Sequence, residues 1–126
     1  MEQLEAKPGR KVCEAMRGLV EEAQHEIEQQ DDKGPILDLV IVAGMQRIEH
    51  YEIAAYGTDV ALAEALGEKQ VAKLLSETLE EEKQTDLKLT EVTQKAIMPQ
   101  ALAGEKDEGG EARGGGGRSG GRRKTA

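Results

Sequence analysis

A run of acidic and aromatic side chains interrupts an apolar pattern between Arg47 and Gly57, in the segment RIEHYEIAAYG. Residues three, four and seven apart share one face of a helix, so Glu49 and Glu52 fall on a face that also carries Tyr56 and several apolar side chains. Carboxylates on such a face are costly unless a cation or hydrogen-bond donors stabilise them. A metal site is one interpretation of this pattern, but acids at the edge of an apolar stripe more commonly lie at a rim and reach water.

A second acidic interruption occurs about thirty residues farther along the chain. Glu82 and Asp86 fall in an apolar stripe formed by Val71, Leu75, Leu79 and Leu89. A Glu from one helix, with a Glu and a second ligand one turn later from its neighbour, is half of the di-iron carboxylate arrangement of ferritin-like bundles. Oxygen-rich sites of this kind suit iron or manganese. The alternative interpretation is a set of solvated acids at the edge of the stripe.

Three side chains near these acids are candidates for a supporting role around a metal. His50 lies about 100° around the helix from Glu49, which is more typical of a surface group or a ligand-supporting group than of a ligand. Glu52 is interpreted as a solvated or lysine-paired residue, and Tyr56 as a packing residue that could hydrogen-bond a ligand. The sequence therefore predicts that His50, Glu52 and Tyr56 lie around the metal ligands and support them without binding the metal.

The elements that position these residues are predicted to be three helices, at about 11–29, 35–66 and 69–97. Pro35 suits the first helical position, and Gly67 can supply a left-handed cap at the end of the second helix. Met98 and Pro99 are expected to end the third helix. Because only a short turn around Gly67 separates the two long helices, they should fold back as an antiparallel hairpin.

The composition supports an all-α protein and excludes several other classes. The chain has 126 residues, no Phe, no Trp and 33% charged residues, which suits amphipathic helices better than a sheet. One cysteine permits no internal disulfide, and the net charge of −8 argues against general nucleic-acid binding by the folded part. No apolar run is long enough to span a bilayer. We therefore expect a cytoplasmic protein without a membrane partner.

The C-terminal part differs from the rest in composition. Nine of the 15 glycines lie in the last 26 residues, and residues 98–126 are predicted to form a disordered Gly/Arg-rich tail. The alternative function is a non-enzymatic dimerisation or interaction module whose basic tail contacts nucleic acid or acidic partners. The absence of an aromatic residue in the tail argues against nucleic-acid binding. The basic residues that would carry this contact are Arg113, Arg118, Arg122, Arg123 and Lys124.

Three segments together resemble the YciE/YciF family of ferritin-like stress proteins: CEAMRGLVEEA, GPILDLVIVAGMQRIEHYEIAAYGTDVALAEALG and AKLLSETLEEEKQTDLKLTEV. The resemblance covers roughly residues 4–95. It implies a four-helix bundle, a dimer, a two-metal centre and a role in bacterial stress responses. By this resemblance, Glu49 matches the metal-ligand Glu of the third bundle helix, and Glu82 and Asp86 match the acidic pair of the fourth.

The resemblance also implies that residues 1–97 form an incomplete ferritin-like domain. Family members carry a further segment ahead of this start, which forms the first two bundle helices and the other half of the metal site. The chain is therefore expected to be truncated. Either its start is misplaced or the fragment is nonfunctional, or it pairs with a second copy of itself or with a complete paralogue. The implied chemistry is iron oxidation or peroxide handling at an iron or manganese site.

Overall fold

Helices account for nearly all of the structure, a computed structural model that describes residues 7, 9–31 and 33–111, with side chains up to residue 104. The elements are α1 (Glu14–Glu28), α2 (Pro35–Ala65), α3 (Lys69–Val92), a π-helical turn (Thr93–Ile97) and α4 (Met98–Glu111). The described residues contain no β-strand, so the predicted all-α class is confirmed. One short helix packs against a long antiparallel hairpin, as the sequence predicts.

Local sequence signals set the ends of α1 and α2. Cys13 caps α1, and its Sγ accepts a hydrogen bond of 3.5 Å from the backbone N–H of Met16. Pro35 occupies the first turn of α2, where a missing N–H costs nothing. Gly67 ends α2 in the left-handed region, with φ of 76°. The N–H groups of Gly67 and Glu68 donate to carbonyls of the last turn, which forms a Schellman motif and reverses the chain.

The core of this hairpin is thin. Buried apolar side chains are few and small, and they include Val42, Ala63 and Ala72 at the contact between α2 and α3. Helix α1 approaches α2 tightly at Gly44, where an added Cβ would lie 2.9 Å from the Cβ of Ala23. Large apolar side chains remain exposed on both long helices, including Met45, Leu62, Leu74 and Val92. The described residues therefore leave apolar surface unpaired.

The structure differs from the sequence prediction at residues 98–111, which are helical. The π-helical turn directly before Pro99 explains how the helix passes this residue. In a regular α-helix, the Pro99 ring would clash with the carbonyl four residues earlier, and a local π turn is a common accommodation. Ile97 and Ala101 are buried, and this segment contacts α2. This corrects the predicted boundary at residue 97, because burial outweighs the local stop signal.

Two further expectations concern regions or properties outside this hairpin. Arg113, Arg118, Arg122, Arg123 and Lys124 lie outside the described residues. Within the described part of the chain, no helix has the length and apolar character needed to cross a membrane.

Candidate metal centre

Three carboxylates meet where the middle of α2 faces α3. Glu49 and Glu52 lie one turn apart on α2, and Glu82 lies opposite them on α3. One carboxylate oxygen from each of the three residues lies within 4.8 Å of the others. The antiparallel hairpin produces this meeting because both helices carry their acids on the face that turns toward the neighbour. We call Glu49, Glu52 and Glu82 the carboxylate cluster.

Glu49 has the least favourable environment for a free carboxylate. Its Oε2 is excluded from solvent and has no hydrogen-bond partner. Burial, a hydrogen bond shared with Glu82 and the negative charges of Glu82, Glu52 and Asp86 raise the pKa of Glu49 from its ordinary value of 4.5 to about 7. The protein without a cation therefore holds a proton on Glu49 near neutral pH. An orphaned buried oxygen among acids is the environment that a cation would relieve.

The donor set fits an iron or manganese ion better than a zinc ion. All three donors of the carboxylate cluster are oxygens, and carboxylate oxygens suit manganese, iron and other hard cations. Cys13, the only cysteine in the chain, contacts the hydroxyl of Tyr51 and caps α1 instead of joining the cluster. The predicted choice of iron or manganese is therefore compatible with the residues that the structure brings together.

Asp86 lies beside the carboxylate cluster and has its own partners. Its Oδ1 accepts a hydrogen bond of 3.0 Å from Gln46 Nε2 and lies 3.2 Å from His50 Nε2. Gln46 Nε2 also donates to Thr90 Oγ1, at 2.9 Å. The Asp86 side chain is 20% exposed, whereas that of His50 is 68% exposed. His50 therefore contacts one of the predicted ligands from the solvent side.

The structure groups the predicted site residues differently from the sequence interpretation in two respects. Glu52, which was predicted as an outer residue, joins Glu49 and Glu82 in the carboxylate cluster. Asp86, which was predicted as a ligand, lies next to the cluster and is held by α2. Tyr56 is half-buried one turn beyond Glu52. The roles of all these residues as ligands or supporting groups stay predictions.

Gln46 is a site residue that the sequence interpretation missed. The available signal was its spacing, because Gln46 and His50 are four residues apart on α2 and share one face. Asp86 and Thr90 have the same spacing on α3. Two such pairs on facing helices can form a ladder of polar contacts, but sequence alone does not show that these two faces meet.

Comparison with known proteins adds the family context. A family model described as a domain of unknown function (DUF892) matches residues 1–103. The chain belongs to this family. The chain is also 55% identical over 80 residues to Protein YciF of Escherichia coli strain K12, a match that covers 64% of this chain and 48% of that protein. The predicted resemblance to the YciE/YciF family is thus confirmed.

Comparison with solved structures also shows similarity to YciF. The E. coli stress protein YciF superposes with a TM-score of 0.64 at 52% identity, over 68% of this chain and 54% of that chain. YcfI from Rhodopseudomonas palustris, described as a structural protein, superposes with a TM-score of 0.67 at 43% identity, over 71% of this chain and 56% of that one. The DUF892 chain described here spans about half the length of these relatives.

Proposed function

We propose that this chain supplies one half of a carboxylate di-metal centre, for iron or manganese, in a ferritin-like stress-response protein. The observation that carries the proposal is the carboxylate cluster, in which three carboxylates converge around a buried oxygen of Glu49 that has no partner. The similarity to the E. coli stress protein YciF supports the stress-response part. Ferritin-like di-metal sites take their ligands from four helices, and α2 and α3 provide two of them.

The chain's own residues divide into donors and supports. Glu49, Glu52 and Glu82 would bind the metal directly, and Asp86 would provide a further carboxylate at the edge of the cluster. His50 holds Asp86 from the solvent side. A bound iron or manganese ion supplies redox chemistry, which would serve iron oxidation or peroxide handling. Before the metal enters, Glu49 has to release its proton, because metal ligands bind in the deprotonated form.

The remaining ligands would come from a second protein surface. Three or four carboxylates are too few for two metal ions, since ferritin-like centres use four carboxylates and two histidines. Met45 lies one turn before Glu49 and is exposed, and Leu74 and Val92 are exposed on α3. A second copy of this chain or a complete relative would cover this surface. We also propose a cytoplasmic location, which is supported by the single cysteine.

The test is the metal content of the purified full chain at its size-exclusion peak, with the mass measured by light scattering. We expect about two iron or manganese ions per dimer. A Glu49→Gln, Glu82→Gln double variant should lose them, because it removes two charges from the carboxylate cluster with little change in volume.

The matched control is a Glu77→Gln, Glu80→Gln double variant, which removes two exposed acids from the same helix, α3. This control should keep the metal. A wild-type chain that stays free of metal after reconstitution with Fe²⁺ or Mn²⁺ would contradict the proposal. Equal loss of metal from both double variants would mean that general negative charge, and not the cluster, attracts the ions.

A further inference from the structure

The contacts between α2 and α3 beside the carboxylate cluster converge on one side chain, Gln46. Its amide nitrogen donates to Asp86 Oδ1 at 3.0 Å and to Thr90 Oγ1 at 2.9 Å. A primary amide has two N–H donors, so these two contacts use both of them. An ionised carboxylate only accepts hydrogen bonds, which requires the nitrogen of the amide to face Asp86.

We propose that Gln46 is a positioning residue that aims Asp86 at the metal. The inference rests on the proposed metal-binding function. Gln46 and His50 both approach the same oxygen of Asp86, Oδ1. In the proposed role, the other carboxylate oxygen, Oδ2, would be the one that binds a cation or a water bound to one. Gln46 acts through Asp86 and does not itself bind the metal.

The position of Gln46 along α2 makes this role specific to the site. Gln46 lies one turn before Glu49, and Asp86 lies one turn after Glu82, so the Gln46–Asp86 bond crosses the hairpin directly beside the carboxylate cluster. The second bond, to Thr90, lies one turn farther from the cluster. The effects of the two hydrogen bonds from Gln46 can therefore be separated by mutation. The bond to Asp86 holds a predicted ligand, whereas the bond to Thr90 only joins the two helices.

The experiment measures the affinity of the whole 126-residue chain for Mn²⁺ from the EPR signal of the unbound ion. Gln46→Met keeps the length of the side chain and removes both hydrogen bonds. Loss of a residue that orients a metal ligand typically weakens metal affinity about 10–100-fold, and we expect a loss in this range. Thr90→Val removes only the bond to α3 that does not involve Asp86, and we expect its affinity to stay within about two-fold of wild type.

Two further variants separate positioning from a general effect on stability. Gln84→Met makes the same chemical change at an exposed glutamine of α3, whose amide contacts Glu80, and it should leave Mn²⁺ affinity unchanged. In an Asp86→Asn background, Gln46→Met should produce little additional loss, because the carboxylate that it orients is already gone. Unfolding midpoints are measured in parallel, since a purely structural role would lower the midpoint without this coupling.

The outcomes distinguish this inference from the proposed function. Wild-type chain that binds no Mn²⁺ overturns both. Wild-type binding that Gln46→Met leaves unchanged overturns the role of Gln46 alone and keeps the metal site. An equal loss of affinity in Thr90→Val also overturns it, because the effect would then come from the contact between the helices.

Discussion

The strongest prediction is a steep pH dependence of metal binding, caused by the proton on Glu49. The pKa of Glu49 is raised to about 7, so this carboxyl is protonated at pH 5 and largely ionised at pH 8. A metal that needs the ionised form competes with this proton, and the apparent affinity should fall about 90-fold between pH 8 and pH 5. A carboxyl with the ordinary pKa of 4.5 would produce a loss of only about 1.3-fold over the same range.

The assay is calorimetric titration of the full chain with Mn²⁺ at several pH values, in two buffers with different ionisation enthalpies. The difference between the buffers counts the protons released on binding. At pH 6 we expect about 0.9 proton to leave Glu49 for each cluster that binds an ion. In Glu49→Gln the affinity should be weaker, and this proton release should disappear. Glu77→Gln, which changes an exposed acid of α3, should retain the wild-type pH dependence.

A loss of affinity below about three-fold between pH 8 and pH 5 would refute the reasoning, because it would mean that Glu49 is already ionised in the free protein. An unchanged steep dependence in Glu49→Gln would refute it as well, since another group would then carry the competing proton. Burial and the shared hydrogen bond with Glu82 would in that case be too weak to shift the pKa of Glu49.

Three further predictions concern stability, measured by urea denaturation. Gly44→Ala should destabilise the protein by about 1–2 kcal/mol, because the added Cβ would lie 2.9 Å from the Cβ of Ala23 in α1. Gly57→Ala should stabilise the protein by about 0.5–1 kcal/mol, because the space around Gly57 is open and alanine favours a helix over glycine. Without metal, the free energy of unfolding should fall as pH rises from 4.5 to about 7, because the folded protein keeps a proton on Glu49 that the unfolded chain releases. Glu49→Gln should remove this pH dependence. Ile97→Ala should cost about 2 kcal/mol and the exposed Leu87→Ala under about 0.5 kcal/mol; equal effects would mean that the helix after residue 92 does not pack on α2.

Local signals in the sequence predicted the helix ends that depend on local chemistry. Pro35 and Gly67 act through backbone geometry that no distant residue needs to supply, and α2 begins and ends beside them. Pro99 is the counterexample. It is also a local stop signal, but the burial of Ile97 and Ala101 against α2 carries the helix past it through a π turn. Long-range packing of this kind leaves no local mark in a single sequence.

In the candidate site, too, some features follow from local sequence and others depend on the packing of distant residues. Periodicity on each helix was sufficient to single out Glu49 and Glu82, because acids within an apolar stripe are visible in one segment at a time. The membership of Glu52 and the hydrogen bond from Gln46 to Asp86 depend on how α2 and α3 are rotated and staggered against each other. That relation belongs to the pair of helices, and neither helix predicts it alone.

The instability of the carboxylate cluster and its proposed function have one physical cause. Three acids around a buried oxygen are unfavourable in the free protein, which responds by holding a proton on Glu49 near neutral pH. Because few side chains of this hairpin are buried, its free energy of unfolding is small, and the repulsion among the acids lowers it further. The polar contacts of Gln46 with Asp86 and Thr90 join the two helices where the acids repel each other. A cation removes that repulsion, so metal binding and the packing of α2 against α3 should stabilise each other.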